Sequence, residues 1–201
     1  LPIMRDLLAA LNIQMLQFDN TEADDIMASI AIKFSEYGEV VIGTNDKDLA
    51  QLVNKKIKIL YQDKTIASSR EIKKKFGGKP KQIKEYLSLL GDKVDNVPGV
   101  PGIGPKTAAT LLNEYGSLKK ILVAAKSKEL TPAITKSLLK HRKEIKIAQQ
   151  LISLQTDLTL GITLKTLKFP NNPDFKAVKV ICDQYGLKVI HNKLKAMIKH
   201  A

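Results

Sequence analysis

The sequence predicts an α/β fold, a mostly parallel sheet flanked by helices, followed by a helical region that carries a helix–hairpin–helix. Three observations lead there. Short apolar runs alternate with amphipathic helical stretches over residues 1–66. From residue 67 to 201 the pattern becomes one of short helices only. Inside that second region, at about 83–115, a Gly- and Pro-dense stretch separates two helical segments.

The elements follow in order. Ile3, Leu7, Leu8 and Leu11 recur at helical spacing, so the chain opens within a helix. The apolar stretch Ile13 to Phe18 reads as a strand, and Asn20 and Thr21 are cap residues for a helix from Glu22 towards Tyr37. Gly38 stops that helix. Val40-Val41-Ile42 has the β-branched run of a buried strand, with turn residues Thr44-Asn45-Asp46 at its C-terminal end. Residues 57–61 form another strand, and Ser68 or Ser69 caps a helix that ends at Gly77-Gly78. Helices are expected at 81–90, 106–115, 117–125 and 133–154, with two more after Pro173.

Charge divides along the chain. Residues 1–52 hold 3 Lys/Arg against 9 Asp/Glu, net −6, and residues 53–201 hold 30 against 11, net +19. That asymmetry points to an acidic pocket set in a basic surface, and a surface so basic attracts a polyanion by releasing its counterions. Lysines that serve only solubility are the competing explanation, and the run Lys73-Lys74-Lys75 reads as a solvated helix face. No apolar run approaches the roughly 20 residues of a membrane-spanning helix, and no signal segment is visible. The single cysteine, Cys182, reads as a small buried apolar residue. The histidines, His141, His191 and His200, show no ligand spacing. With aromatic residues at 5% and no tryptophan, base stacking is a weak source of affinity.

Three acidic groups stand out. Glu22 and Asp25 share a helix face, with Asp24 beside them. Asp46 and Asp48 follow a buried strand, where open α/β sheets place their ligand sites. Asp92 and Asp95 lie in a Gly-rich loop after a helix. If they converge, so many like charges require a cation, and hard oxygens suit Mg²⁺ or Mn²⁺. Each group also has an ordinary explanation: first-turn acids complement a helix dipole, and Asp and Asn form turns.

The stretch from Gly99 to Ala108 is the strongest local signal. A turn at Gly102-Ile103-Gly104 and a helix opening at Pro105 let the backbone approach a phosphate, with Lys106 and Thr107 nearby. Such a grip reads no base sequence. A nucleotide-binding P-loop is excluded, because Pro105 stands where that loop needs glycine directly before Lys-Thr.

In this order the pieces resemble the 5′-nuclease domain of bacterial DNA polymerase I and its flap-endonuclease relatives. The resemblance is carried by Glu22-Ala-Asp-Asp25, Thr44-Asn-Asp-Lys-Asp-Leu-Ala-Gln-Leu52 and Leu89-Leu-Gly-Asp-Lys-Val-Asp-Asn-Val-Pro-Gly99, running into Gly102-Ile-Gly-Pro-Lys-Thr-Ala108. It extends more loosely to the end, where Phe175 to Met197 is similar to the close of that domain before a polymerase. It implies a PIN-like nuclease core in residues 1–66, incomplete here, and a DNA-binding helical region in residues 67–201. By the same resemblance Glu22, Asp24 and Asp25 lie between two divalent metal positions, while Asp46, Asp48, Asp92 and Asp95 favour the second. Two-metal hydrolysis of the phosphodiester backbone follows from it. Gly102, Ile103, Gly104, Lys106 and Thr107 then grip the duplex behind the cut, with K⁺ held by carbonyls near Val100 and Ile103.

The implied substrates are 5′ flaps and nicked or branched duplex DNA, in the bacterial cytoplasm at the nucleoid. Family members carry a long segment before the position matching Leu1, with further strands, aspartates and a basic arch. The expectation is therefore a C-terminal portion of such a nuclease, with the N-terminal half or a fused polymerase as partner. A non-catalytic DNA-binding module is the alternative, marked by salt-dependent binding with no response to Mg²⁺. An RNA-cutting relative with a similar acidic pocket is a third, marked by preference for RNA.

Overall fold

The computed structural model describes residues 2–167 and 173–198. It divides into two compact units, Glu22–Thr159 and the two chain ends Leu1–Thr21 with Leu160–Ala201. The helices in chain order are α1 Pro2–Ala10, α2 Ala23–Phe34, α3 Ser69–Phe76, α4 Ile83–Leu90, α5 Pro105–Tyr115, α6 Leu118–Lys126, α7 Pro132–Lys140, α8 Arg142–Leu151, α9 Phe175–Gln184 and α10 Lys188–Ile198. The strands are β1 Val40–Gly43, β2 Ile57–Leu60 and β3 Ile66–Ala67.

In the larger unit the sheet runs β1-β2-β3. The β1–β2 pair is parallel, in register from Val40↔Ile57 to Gly43↔Leu60, and β2 turns back through a tight loop to pair antiparallel with β3. The β1–β2 crossover carries a short 3-10 turn, Asp48–Leu52, whose Leu49 and Ala50 are fully buried. That burial pins the crossover to the core and leaves Asp46 and Asp48 at the C-terminal end of β1. One apolar cluster then continues from α2 and the sheet through α3, α4, α5 and α6 to α8, with Ile57, Ile59, Leu87, Leu112, Ile121 and Ile145 at its centre. Gln82 is one of the buried polar residues; its side-chain amide donates to the carbonyls of Leu112 (2.8 Å) and Gly116 (3.2 Å), closing the C-terminus of α5.

The helix boundaries have local causes. Ser68 caps α3 in a reciprocal box with Glu71, and Gly77 ends it in the left-handed conformation. Residue Glu22 takes the N-cap position of α2 without a side-chain bond, so neither Asn20 nor Thr21 serves as the expected cap. Thr21 Oγ1 donates instead to the Asp19 carbonyl at 3.2 Å. The helix expected over 133–154 is two helices, broken at His141. There the Ser137 carbonyl takes the His141 backbone N–H at 3.0 Å and lies 2.9 Å from its ring Nδ1, ending α7.

The smaller unit packs α1, α9 and α10 around Leu7, Val178 and Cys182. Cys182 is buried as a small apolar side chain, in keeping with the sequence reading. Asp174 caps α9, its Oδ1 accepting the Ala177 N–H at 3.0 Å. The strand expected at Ile13 to Phe18 is irregular backbone. No described strand pairs with it, and an unpaired strand has no ladder to hold it. His200 lies outside the described residues.

Candidate metal centre and nucleic-acid interface

All three acidic groups belong to the larger unit. The first opens α2, where Asp24 and Asp25 stand in the opening turn beside the exposed Glu22. The second leaves β1: Thr44 Oγ1 accepts the Asp46 N–H at 3.0 Å, and Asp46 Oδ1 accepts the Asp48 N–H at 2.8 Å. Those two bonds form a tight Asx-type turn that aims both carboxylates off the end of the strand. The third leaves α4, where Asp92 and Val97 exchange backbone bonds of 3.0 and 2.7 Å and Asp92 Oδ1 accepts the Val94 N–H at 2.9 Å.

Their electrostatics show that the groups meet. Burial pushes the Asp48 carboxyl up to about 7, with the charges of Asp46, Asp95, Asp24 and Asp92 adding to the shift. Asp24 is raised too, first by burial and then by the charges of Asp46, Glu22 and Asp25. Asp92 behaves oppositely: its hydrogen bond from Lys47 lowers it, across an ion pair of 2.5 Å. Asp25 is partly diverted, since its Oδ1 accepts the Gln155 N–H at 2.8 Å and fastens the strand-like segment after α8.

Asp24, Asp46, Asp48, Asp92 and Asp95 are therefore brought into mutual range, Glu22 and Asp25 flank Asp24, and Asp25 also has a structural bond. Among the described residues no three or more His, Cys, Asp or Glu side chains are grouped so that they could hold a metal ion as they stand. The donor set is nonetheless of the kind that suits a divalent ion: it is all hard oxygen, and burial together with the neighbouring charges raises two of its carboxyls, a strain that a cation relieves. Lys47 is the member that sequence reasoning missed. Its signal was the cation set between two aspartates in Asn45-Asp46-Lys47-Asp48.

The hairpin follows directly. Gly91, at φ +76°, and Gly99 pack backbone to backbone, and a Cβ on Gly99 would lie 2.1 Å from the Leu90 carbonyl oxygen. Val100 N–H bonds the Leu89 carbonyl at 2.8 Å, which seats the loop on α4. Val100 and Ile103 are buried, and the Val100 carbonyl accepts the Ile103 N–H at 3.0 Å. Gly102 has φ +81°, and a Cβ there or on Gly104 would touch nothing. At Gly104, whose φ is −93°, neither the backbone nor a neighbour requires glycine, so the bare surface faces outward for an incoming group. Gly104 is the N-cap of α5 with no side-chain cap, and Pro105 opens the helix, leaving the Lys106 and Thr107 N–H groups for an anion. From α7, Ser137 Oγ donates to the Pro101 carbonyl at 2.5 Å and braces the loop.

Carboxylates on the C-terminal side of a parallel strand pair, with a glycine-rich hairpin before a helix N-terminus later in the chain, are the arrangement expected of a nuclease-type α/β fold. Comparison with known proteins gives the family. Residues 1–77 match the family model described as "5'-3' exonuclease, N-terminal resolvase-like domain", and residues 78–174 match "5'-3' exonuclease, C-terminal SAM fold". The chain is 35% identical over its whole length to a 5'-3' exonuclease of Aquifex aeolicus, of which it spans 68%. It is 38% identical, over 85% of its length, to DNA polymerase I of Deinococcus radiodurans, of which it spans 18%.

Among solved structures it is similar to T5 5'-exonuclease with zinc bound, at TM-score 0.66 and 21% identity, covering 88% of this chain and 64% of that one. It is likewise similar to the T5 D15 flap endonuclease in a complex with DNA and metal ions, at TM-score 0.63 and 18% identity, with the same 88% and 64% coverage. The chain belongs to the 5'-3' exonuclease family.

Proposed function

We propose that this chain provides the carboxylate-rich metal site and the DNA grip of a structure-specific 5′-nuclease acting on 5′ flaps and nicked or branched duplex DNA. The observation that carries the reading is the meeting of Asp24, Asp46, Asp48, Asp92 and Asp95 from three separate chain segments. Glu22, Asp24, Asp25, Asp46, Asp48, Asp92 and Asp95 hold Mg²⁺ or Mn²⁺ directly or through water. When bound, those ions activate a water, align the scissile phosphate and stabilise the leaving oxygen. The chain's own residues do the rest. Asp46 sets the turn that aims Asp48, and the backbone at Gly102, Ile103 and Gly104 lets a phosphate come close. Lys106 and Thr107 supply N–H donors and a positive charge to that phosphate. The Val100 and Ile103 carbonyls are the ligands for a K⁺ that would stiffen the loop beside the DNA.

The polymerase relative supports a fused polymerase as partner, and a DNA substrate is the ground for the reading that the protein works in the bacterial cytoplasm at the nucleoid. The decisive experiment incubates the chain, alone and with the family's N-terminal segment supplied, with a labelled 5′-flap duplex in Mg²⁺ or EDTA. Mg²⁺-dependent cleavage near the junction is expected, and Asp46→Asn with Asp48→Asn abolishes it while leaving DNA binding in place. Undiminished cutting by that double variant overturns the assignment. Binding by every form, with no Mg²⁺ response even when the segment is supplied, leaves the plain binding module as the function.

A further inference from the structure

Lys47 stands in an unusual place. Its Nζ lies 2.5 Å from Asp92 Oδ2, with the Lys47 side chain 48% exposed and that of Asp92 only 9%. The same ammonium is electrostatically coupled to Asp95 and Asp46. Three of the four carboxylates assigned above to the second metal position thus already surround a cation that the chain itself carries. Both Asp92 oxygens already have a partner, Oδ2 taking Lys47 and Oδ1 taking the Val94 N–H at 2.9 Å.

We propose that the Lys47 ammonium is a resident counter-ion of the second cation position, and that a divalent ion enters there only by displacing it from Asp92. This inference rests on the metal-site reading of the proposed function and specifies how that site fills. The ion pair neutralises part of the cluster in the metal-free chain, and it does so at Asp92. Displacement also frees a positive charge on a flexible stem beside the place where a phosphodiester would lie.

The test is Mn²⁺ binding itself, followed by calorimetry and by the electron paramagnetic resonance of free Mn²⁺, with no substrate present. Lys47→Met, which keeps the stem and removes the charge, is expected to tighten Mn²⁺ binding about tenfold. Lys47→Arg, which keeps the charge, leaves binding as in the wild type. If the Met variant does not fold, as judged by circular dichroism, Lys47→Gln replaces it. A pair that serves only structure would lower thermal stability on substitution and leave Mn²⁺ binding as it was; that result overturns the proposal. Absence of any Mn²⁺ binding, in wild type and variants alike, overturns the metal reading of the whole cluster and this inference with it. Binding that is indifferent to residue 47 removes only the latter.

Discussion

Replacing Asp48 by Asn removes one charge from a cluster that holds at least five, and without metal it should make the chain more stable. The Asp48 carboxyl is pushed from an ordinary 3.8 up to about 7, chiefly by burial and then by Asp46, Asp95, Asp24 and Asp92. Three units at about 1.4 kcal/mol each give roughly 4 kcal/mol of strain on the ionised form. Asp48 is only partly buried, so solvent screening halves this to about 2 kcal/mol. For a chain of this size that corresponds to a rise in Tm of about 5 °C.

The sign follows from linkage. A carboxyl raised in the folded state favours folding while it is protonated, and that contribution is lost as pH climbs from the unfolded value near 4 through 7. The advantage of the Asn variant is therefore small at pH 4.5 and fully developed at pH 8. Thermal unfolding followed by circular dichroism in EDTA at both pH values measures it. Adding Mn²⁺ reverses the order, since the ion stabilises the wild type and finds fewer ligands in the variant. A variant no more stable than wild type at pH 8, or a difference that does not change with pH, refutes the argument that crowding strains this site.

Other substitutions probe the hairpin and its support. Gly99→Ala places a Cβ 2.1 Å from the Leu90 carbonyl oxygen, so the loop must shift off α4. A loss of about 3 kcal/mol in urea unfolding is expected, with weaker DNA binding. Lys106→Ala should leave stability unchanged, weaken binding to flap DNA of any sequence, and reduce the slope of log K against log salt by about one. Fluorescence anisotropy at several salt concentrations reads both effects. Gln82→Ala removes the donor to the Leu112 and Gly116 carbonyls and should cost about 2 kcal/mol in the same urea assay, because the buried Leu112 carbonyl and the more open Gly116 carbonyl both lose it.

Much of the architecture was legible in the residues. Ser68 with Glu71, Gly77 and the Gly102–Pro105 turn are local devices, effective within a few residues of the backbone they punctuate, and the structure uses them as helix and loop boundaries, whereas α2 ends at Phe34 with Ser35 as its C-cap and not at the expected Gly38. The strands β1 and β2 stand where β-branched runs predict them. Local signals failed where a distant partner decides. Ile13 to Phe18 has strand composition but no described neighbour to pair with. The periodicity of 133–154 runs unbroken across His141, because Leu138, Ile145 and Ala148 keep one apolar stripe while the backbone leaves the helical conformation at His141 (φ −101°, ψ 28°).

The same division runs through the site. Sequence alone determined the candidate carboxylates, the hairpin and its bare glycines, and the family, since these depend on residue types at short spacing. Only tertiary structure decided that Asp24, Asp46, Asp48, Asp92 and Asp95 meet, that Asp25 also ties down Gln155, and that Lys47 claims Asp92. Those pairings join residues 45 and 130 positions apart in the chain. At such separations the distance between two charges is set by how helices and strands pack on a shared core, and the Coulomb energy that shifts a carboxyl depends on that distance and on the burial that comes with it.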